Sequence, residues 1–159
     1  MLPPESGLSL SGHPSHPQVF AVRYLKTILK WMFAAFFIFA GVNHFRDEAF
    51  YLKLMPDYIP QSLHLPAVQL SGVAEVLLGA LLLVPRTQRL AAWGLIALLI
   101  AVFPANIYAF QHSEEIFGMS KSTHFWRLPL QAVMIAWAWW YTRADRPREP
   151  AEPLRTTEA

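Results

Sequence analysis

The chain contains no cysteine. Disulfide exchange, thiolate catalysis, iron–sulfur clusters and c-type haem attachment through the protein's own residues are therefore excluded. Charge is also scarce. Asp, Glu, Lys and Arg make up 15% of the residues, against about 25% in soluble domains. The net charge of +2 is small and the Lys and Arg are dispersed, so no nucleic-acid partner is expected. No HExxH, P-loop or GxSxG pattern occurs, which removes the sequence marks of several enzyme classes. The six His all lie away from mid-segment, whereas a b-type haem in a bundle needs ligands deep in facing helices. Candidate metal ligands are few and unclustered, so no metal site is expected.

What is present is apolar. The composition is 54% hydrophobic, with 6 Trp, 5 Tyr and 11 Phe, many of them near the ends of apolar segments. Such placement suits an interfacial aromatic belt. Four segments, about 24–43, 65–84, 90–110 and 125–141, have the length and character of membrane-spanning helices. The expected fold class is all-α: a polytopic membrane protein built as a four-transmembrane-helix bundle. The first segment lies too deep and lacks a convincing cleavage site, so it reads as a permanent helix rather than a signal peptide. Residues 1–18 carry Pro3, Pro4, Pro14 and Pro17 with Ser and Gly, and residues 144–159 carry Pro147, Pro150 and Pro153 among alternating charges. Neither composition builds a core. Both are expected to be disordered tails around a membrane domain at 19–143.

Orientation follows from the basic residues. Arg23, Lys26, Lys30, Arg86, Arg89, Arg143, Arg146, Arg148 and Arg155 fall on one side, nine against the four at Arg46, Lys53, Lys121 and Arg127. The positive-inside rule then places both termini in the cytoplasm. The expected location is the inner membrane of a bacterial cell.

Within this frame one residue stands out. Glu75 sits inside the run LPAVQLSGVAEVLLGALLLV. A carboxylate at the centre of a spanning helix costs roughly 2.5–3.5 kcal/mol on insertion scales. At 1.5 Å per residue Glu75 lies about 15 Å below the outer end of its segment. Asn43 and His44 end the first segment, Asn106 lies about one turn below the outer end of the third, and the fourth begins with His124, Arg127 and Gln131 on one face. The notable polar residues thus gather in the outer half, and a polar pocket open to the outer side is expected there.

The face of Glu75 runs through Val68, Ser71, Gly72, Gly79 and Leu82, and small residues on it permit close helix approach. A second small stripe, Gly94, Ala97, Ala101 and Ala105, is expected to pack in the third segment. Pro104 should kink that segment and free the carbonyl of Ile100. Asn106 could then repair the backbone or hold a ligand. The Pro56 and Pro60 segment is expected to shape a compact lid on the outer face. Each functional reading has a plainer rival. Glu75 could close a structural network with Asn106, Gln131 or Arg127. His44 could be an interfacial histidine, and Arg127 could snorkel to headgroups. The tryptophans at 137–140 read as interface belt.

The motifs Gly41-Val42-Asn43-His44-Phe45, Pro56 with Pro60, Ser71-Gly72-Val73-Ala74-Glu75 with Gly79, Pro85-Arg86-Thr87, Phe103-Pro104-Ala105-Asn106-Ile107-Tyr108 and Arg127-Leu128-Pro129-Leu130-Gln131 closely resemble the DoxX-like family of small membrane proteins. The resemblance covers about residues 24–142. It implies a four-helix integral membrane protein. Relatives in that family are linked to membrane redox complexes, including a thiosulfate:quinone oxidoreductase, and one animal relative acts as a receptor assembly chaperone. No set of catalytic residues carries over, so Glu75, His44, Asn43, Asn106, Arg127 and Gln131 are ligand-binding candidates by position alone.

Two readings follow. In one, the chain is an accessory or quinone-interacting subunit of a membrane redox system, and Glu75 or His44 exchanges protons with a bound quinone. No resident cofactor is otherwise identified. In the other, the chain is a non-enzymatic scaffold or assembly chaperone whose partners are the lipid bilayer and either another membrane protein or further copies of itself.

Overall fold

The computed structural model describes residues 17–118 and 125–143. The expected tails, apart from Pro17 and Gln18, lie outside the described residues, as does His124.

All regular structure among the described residues is helical: α1 Pro17–Arg46, α2 Glu48–Leu52, α3 Gln61–Leu83, α4 Gln88–Gln111, α5 Ser113–Phe117 and α6 Arg127–Thr142. Apolar runs of this length become helices in lipid because every backbone group must then be satisfied within its own segment. Three helices are long and apolar enough to cross a membrane: Tyr24–Arg46 within α1, α3 and α4. At 1.5 Å per residue the 23-residue α3 is about 34 Å long, enough for a hydrocarbon core of about 30 Å. The 16-residue α6 reaches only about 24 Å. It falls short of the spanning length expected for a fourth segment, although it packs along α4.

The connections are local. Asp47 leaves helical geometry at φ −128°, and α2 follows at once. Pro60, extended at ψ 133°, precedes α3. Between them Pro56 is fully buried and its carbonyl accepts from Ile59 N–H at 3.0 Å. Asp57 meets the Tyr108 hydroxyl of α4, so this compact segment lies against the end of the bundle as a lid would. The α3–α4 turn is fixed by Thr87, whose hydroxyl donates to the Leu81 carbonyl at 2.8 Å.

Helices pack in the order α1, α3, α4, α6. The α1–α3 seam is the closest. A Cβ built on Gly41 would lie 2.5 Å from the Gly72 carbonyl, and one on Gly79 would lie 3.0 Å from the Ala34 carbonyl. Ala34 with Gly79 and Gly41 with Gly72 form two matched steps of an antiparallel register. The expected face of α3 is confirmed: Val68, Gly72, Gly79 and Leu82 are buried. The expected α4 stripe is not. Ala97 and Ala101 are exposed, and Ala91, Ala92, Leu95, Ile96 and Ala109 are buried instead. A Cβ built on Gly94 would lie 2.5 Å from the Leu78 side chain. In a helix rich in Leu, Ile and Ala, small size marks several faces, and the neighbours select one.

The core occupies the half where α1 begins. Phe33, Phe37, Leu82, Leu95, Met134 and Tyr141 form its bulk. Here α1 and α6 meet only through long side chains: among the described residues no Cα of one comes within 8 Å of the other. Phe33 bridges the gap to Trp137, with ring centroids 4.7 Å apart. Trp137 is half-buried and donates to the Tyr141 hydroxyl at 3.1 Å, so it belongs to the bundle interior as well as to the aromatic belt.

Candidate functional site

The polar residues of the other half form two groups. In the first, His44 at the last turn of α1 faces α3. Its Nδ1 lies 2.9 Å from the Val68 carbonyl and 3.2 Å from Ser71 Oγ. A carbonyl only accepts, and the Ser71 hydroxyl itself donates to the same carbonyl at 2.9 Å. Nδ1 therefore carries the proton. That leaves Nε2 of the neutral ring as an acceptor, and it points at Glu75 Oε2, 3.6 Å away. Glu75 Oε2 is buried and has no hydrogen-bond partner among the described residues. The Glu75 and His44 side chains are 13% and 9% exposed, so water has little access to the pair. Two titratable groups facing each other this closely, out of water, titrate as a coupled pair.

Tyr51 of α2 completes this group. Its ring stacks on His44 with centroids 3.7 Å apart, and its hydroxyl accepts from Asn43 Nδ2 at 3.4 Å. Arg127, half-buried at the start of α6, lies within electrostatic reach of the Tyr51 hydroxyl. Among the described residues the polar side chain that faces Glu75 is His44, not Arg127, Asn106 or Gln131. Tyr51 was not legible as a site residue. It lies beyond the helix break at Asp47, in a helix of five residues too short to show a period.

The second group joins α4 to α6. Asn106 Nδ2 donates to Gln131 Oε1 at 3.1 Å, and Gln131 Nε2 donates to the Leu99 carbonyl. Gln131 is buried, 4% exposed. Pro104 lies inside α4 as expected, but the carbonyl engaged is that of Leu99, one residue before Ile100. Asn106 repairs no backbone group; it orients Gln131, which reaches the Leu99 carbonyl rather than the one Pro104 leaves without its helical donor. Among the described residues no hydrogen bond joins this group to His44 and Glu75. The polar residues thus form two clusters, one at the α1–α3 seam and one at the α4–α6 seam. Among the described residues no group of three or more His, Asp or Glu gathers as a metal site would need.

These features define an all-helical, membrane-type protein with a buried His–Glu pair. Residues 33–142, more than half of the chain, match the family described as Domain of unknown function (DUF8561), and the chain belongs to that family. No curated protein and no solved structure matches it.

Proposed function

We propose that this protein is a DoxX-like integral membrane protein that serves a membrane redox system as an accessory or quinone-interacting subunit. The observation that carries this reading is the Glu75 carboxyl oxygen, buried, unbonded and 3.6 Å from His44 Nε2. Reduction of a quinone oxygen needs a proton donor held out of bulk water, and a coupled titratable pair can supply it. Tyr51, stacked on His44, and Arg127, within electrostatic reach of Tyr51, would orient a polar headgroup. In this reading α6, lengthened by Phe125 and Trp126, completes a fourth span. Both termini lie in the cytoplasm of a bacterial cell, and the pair lies in the outer half of the inner membrane.

A second reading is favoured by the glycine seam. His44 also clamps α1 to α3 through the Val68 carbonyl, beside Gly41 and Gly72. A scaffold or assembly chaperone would need that clamp and no ligand. Native mass spectrometry of detergent-purified wild type and Glu75→Gln, with lipid extracts searched for quinones, separates the two. A quinone held by wild type and lost from a folded Glu75→Gln supports the first. Two folded, quinone-free proteins that co-purify with one specific membrane partner support the second.

A further inference from the structure

The end of the molecule opposite the His44–Glu75 pair carries a feature that neither reading uses. A groove of about 600 Å³ opens on the bundle surface between α1 and α6, within the size range of small-ligand sites, about 300–1,000 Å³. It is lined by Leu29, Val133, Ala136, Trp137, Trp139 and Trp140. Its lining is almost wholly apolar, and Arg143 stands at its rim. The groove exists because α1 and α6 are held apart. Phe33, Trp137 and Tyr141 plug the gap from within and leave its outer side unfilled.

The groove is apolar, but its mouth is cationic. The Arg143 guanidinium lies 4.0 Å from the centroid of the Trp139 ring, and Lys26 Nζ lies 5.9 Å from that of Trp140. Arg86 and Arg89 are exposed at the same end, on the α3–α4 turn and the first turn of α4. Among the described residues no Asp or Glu shares this end. Asp47, Glu48, Asp57, Glu114 and Glu115 belong to the opposite end, and Glu75 lies between. An apolar slot facing lipid, capped by cations stacked on interfacial tryptophans, matches one ligand chemistry in both halves.

We propose that the α1–α6 groove binds one anionic phospholipid, with an acyl chain along Leu29, Val133 and Ala136 and the phosphate at Arg143. The bound lipid would tie α1 to α6 where their backbones do not touch. This inference does not depend on what the His44–Glu75 pair does.

The test is native mass spectrometry of the full chain released from detergent. The protein is titrated with phosphatidylglycerol or with phosphatidylcholine of the same acyl chains. Wild type should retain one phosphatidylglycerol at concentrations where phosphatidylcholine is lost. Arg143→Glu, an exposed change that leaves the core intact, should weaken that retention roughly tenfold. Ala136→Trp, which adds bulk to the groove lining and leaves every cation in place, should abolish it. Equal retention of the two lipids by wild type would overturn the proposal. So would retention unaffected by Arg143→Glu, whether or not Ala136→Trp folds.

Discussion

His44 Nε2 and Glu75 Oε2 face each other at 3.6 Å across the α1–α3 seam, and the Val68 carbonyl fixes which imidazole nitrogen does the facing. The backbone of α3 thus sets the tautomer of a ring carried by α1. If Glu75 served only the fold, its unbonded oxygen would be a net penalty, since an unsatisfied buried polar atom costs about 1–3 kcal/mol. Glu75→Gln places an N–H donor opposite Nε2. Its thermal unfolding in detergent should match or exceed that of wild type, while any retained quinone is lost. A large drop in melting temperature would show that the carboxyl is itself a structural bond.

The seam makes a sharper prediction about packing. A Cβ on Gly72 would lie 2.7 Å from His44 Cβ and 3.0 Å from the Gly41 carbonyl. Neither neighbour is a flexible side-chain end. Gly72→Ala should destabilise the bundle by about 1–3 kcal/mol, read as a lowered midpoint in detergent unfolding. Ala101→Gly, on the exposed face of α4, should cost about 1 kcal/mol or less.

Gln131 and Asn106 should not contribute equally. Gln131→Leu removes both the hydrogen bond to the Leu99 carbonyl and the acceptor of the Asn106 amide. Asn106→Ala removes only the group that orients Gln131. Interhelical hydrogen bonds in membranes are worth about 0.6–2 kcal/mol, so Gln131→Leu should lower stability by about that amount and Asn106→Ala by less. A double-mutant cycle of these two substitutions would check the coupling, because Asn106→Ala should cost less on the Gln131→Leu background than in wild type.

Topology is directly measurable because the chain has no cysteine of its own. Tyr58→Cys, Arg86→Cys and Arg143→Cys each create a single thiol. With a membrane-impermeant maleimide on intact cells, Tyr58→Cys should label at once. The other two should label only after permeabilisation. Labelling of Arg143→Cys together with Tyr58→Cys would show that α6 does not span.

Much of the architecture could be read from the chain, and the reason is lipid. Uninterrupted apolar runs such as Leu90–Phe110 have no alternative to helix where water cannot satisfy the backbone, so helix type and approximate limits follow from composition. The face of α3 was legible too, because Gly72 and Gly79 break the monotony of its Leu and Val residues. Tertiary structure alone decided which partners those faces meet. Glu75 had several polar candidates at similar depth, and only the Gly41–Gly72 approach brings His44 within 3.6 Å of it. Pro104 announced a disturbed backbone but not that Gln131 would reach the Leu99 carbonyl. The choice among the faces of α4, and the gap between α1 and α6, depend on side chains from other helices, whose distances no spacing within one segment contains.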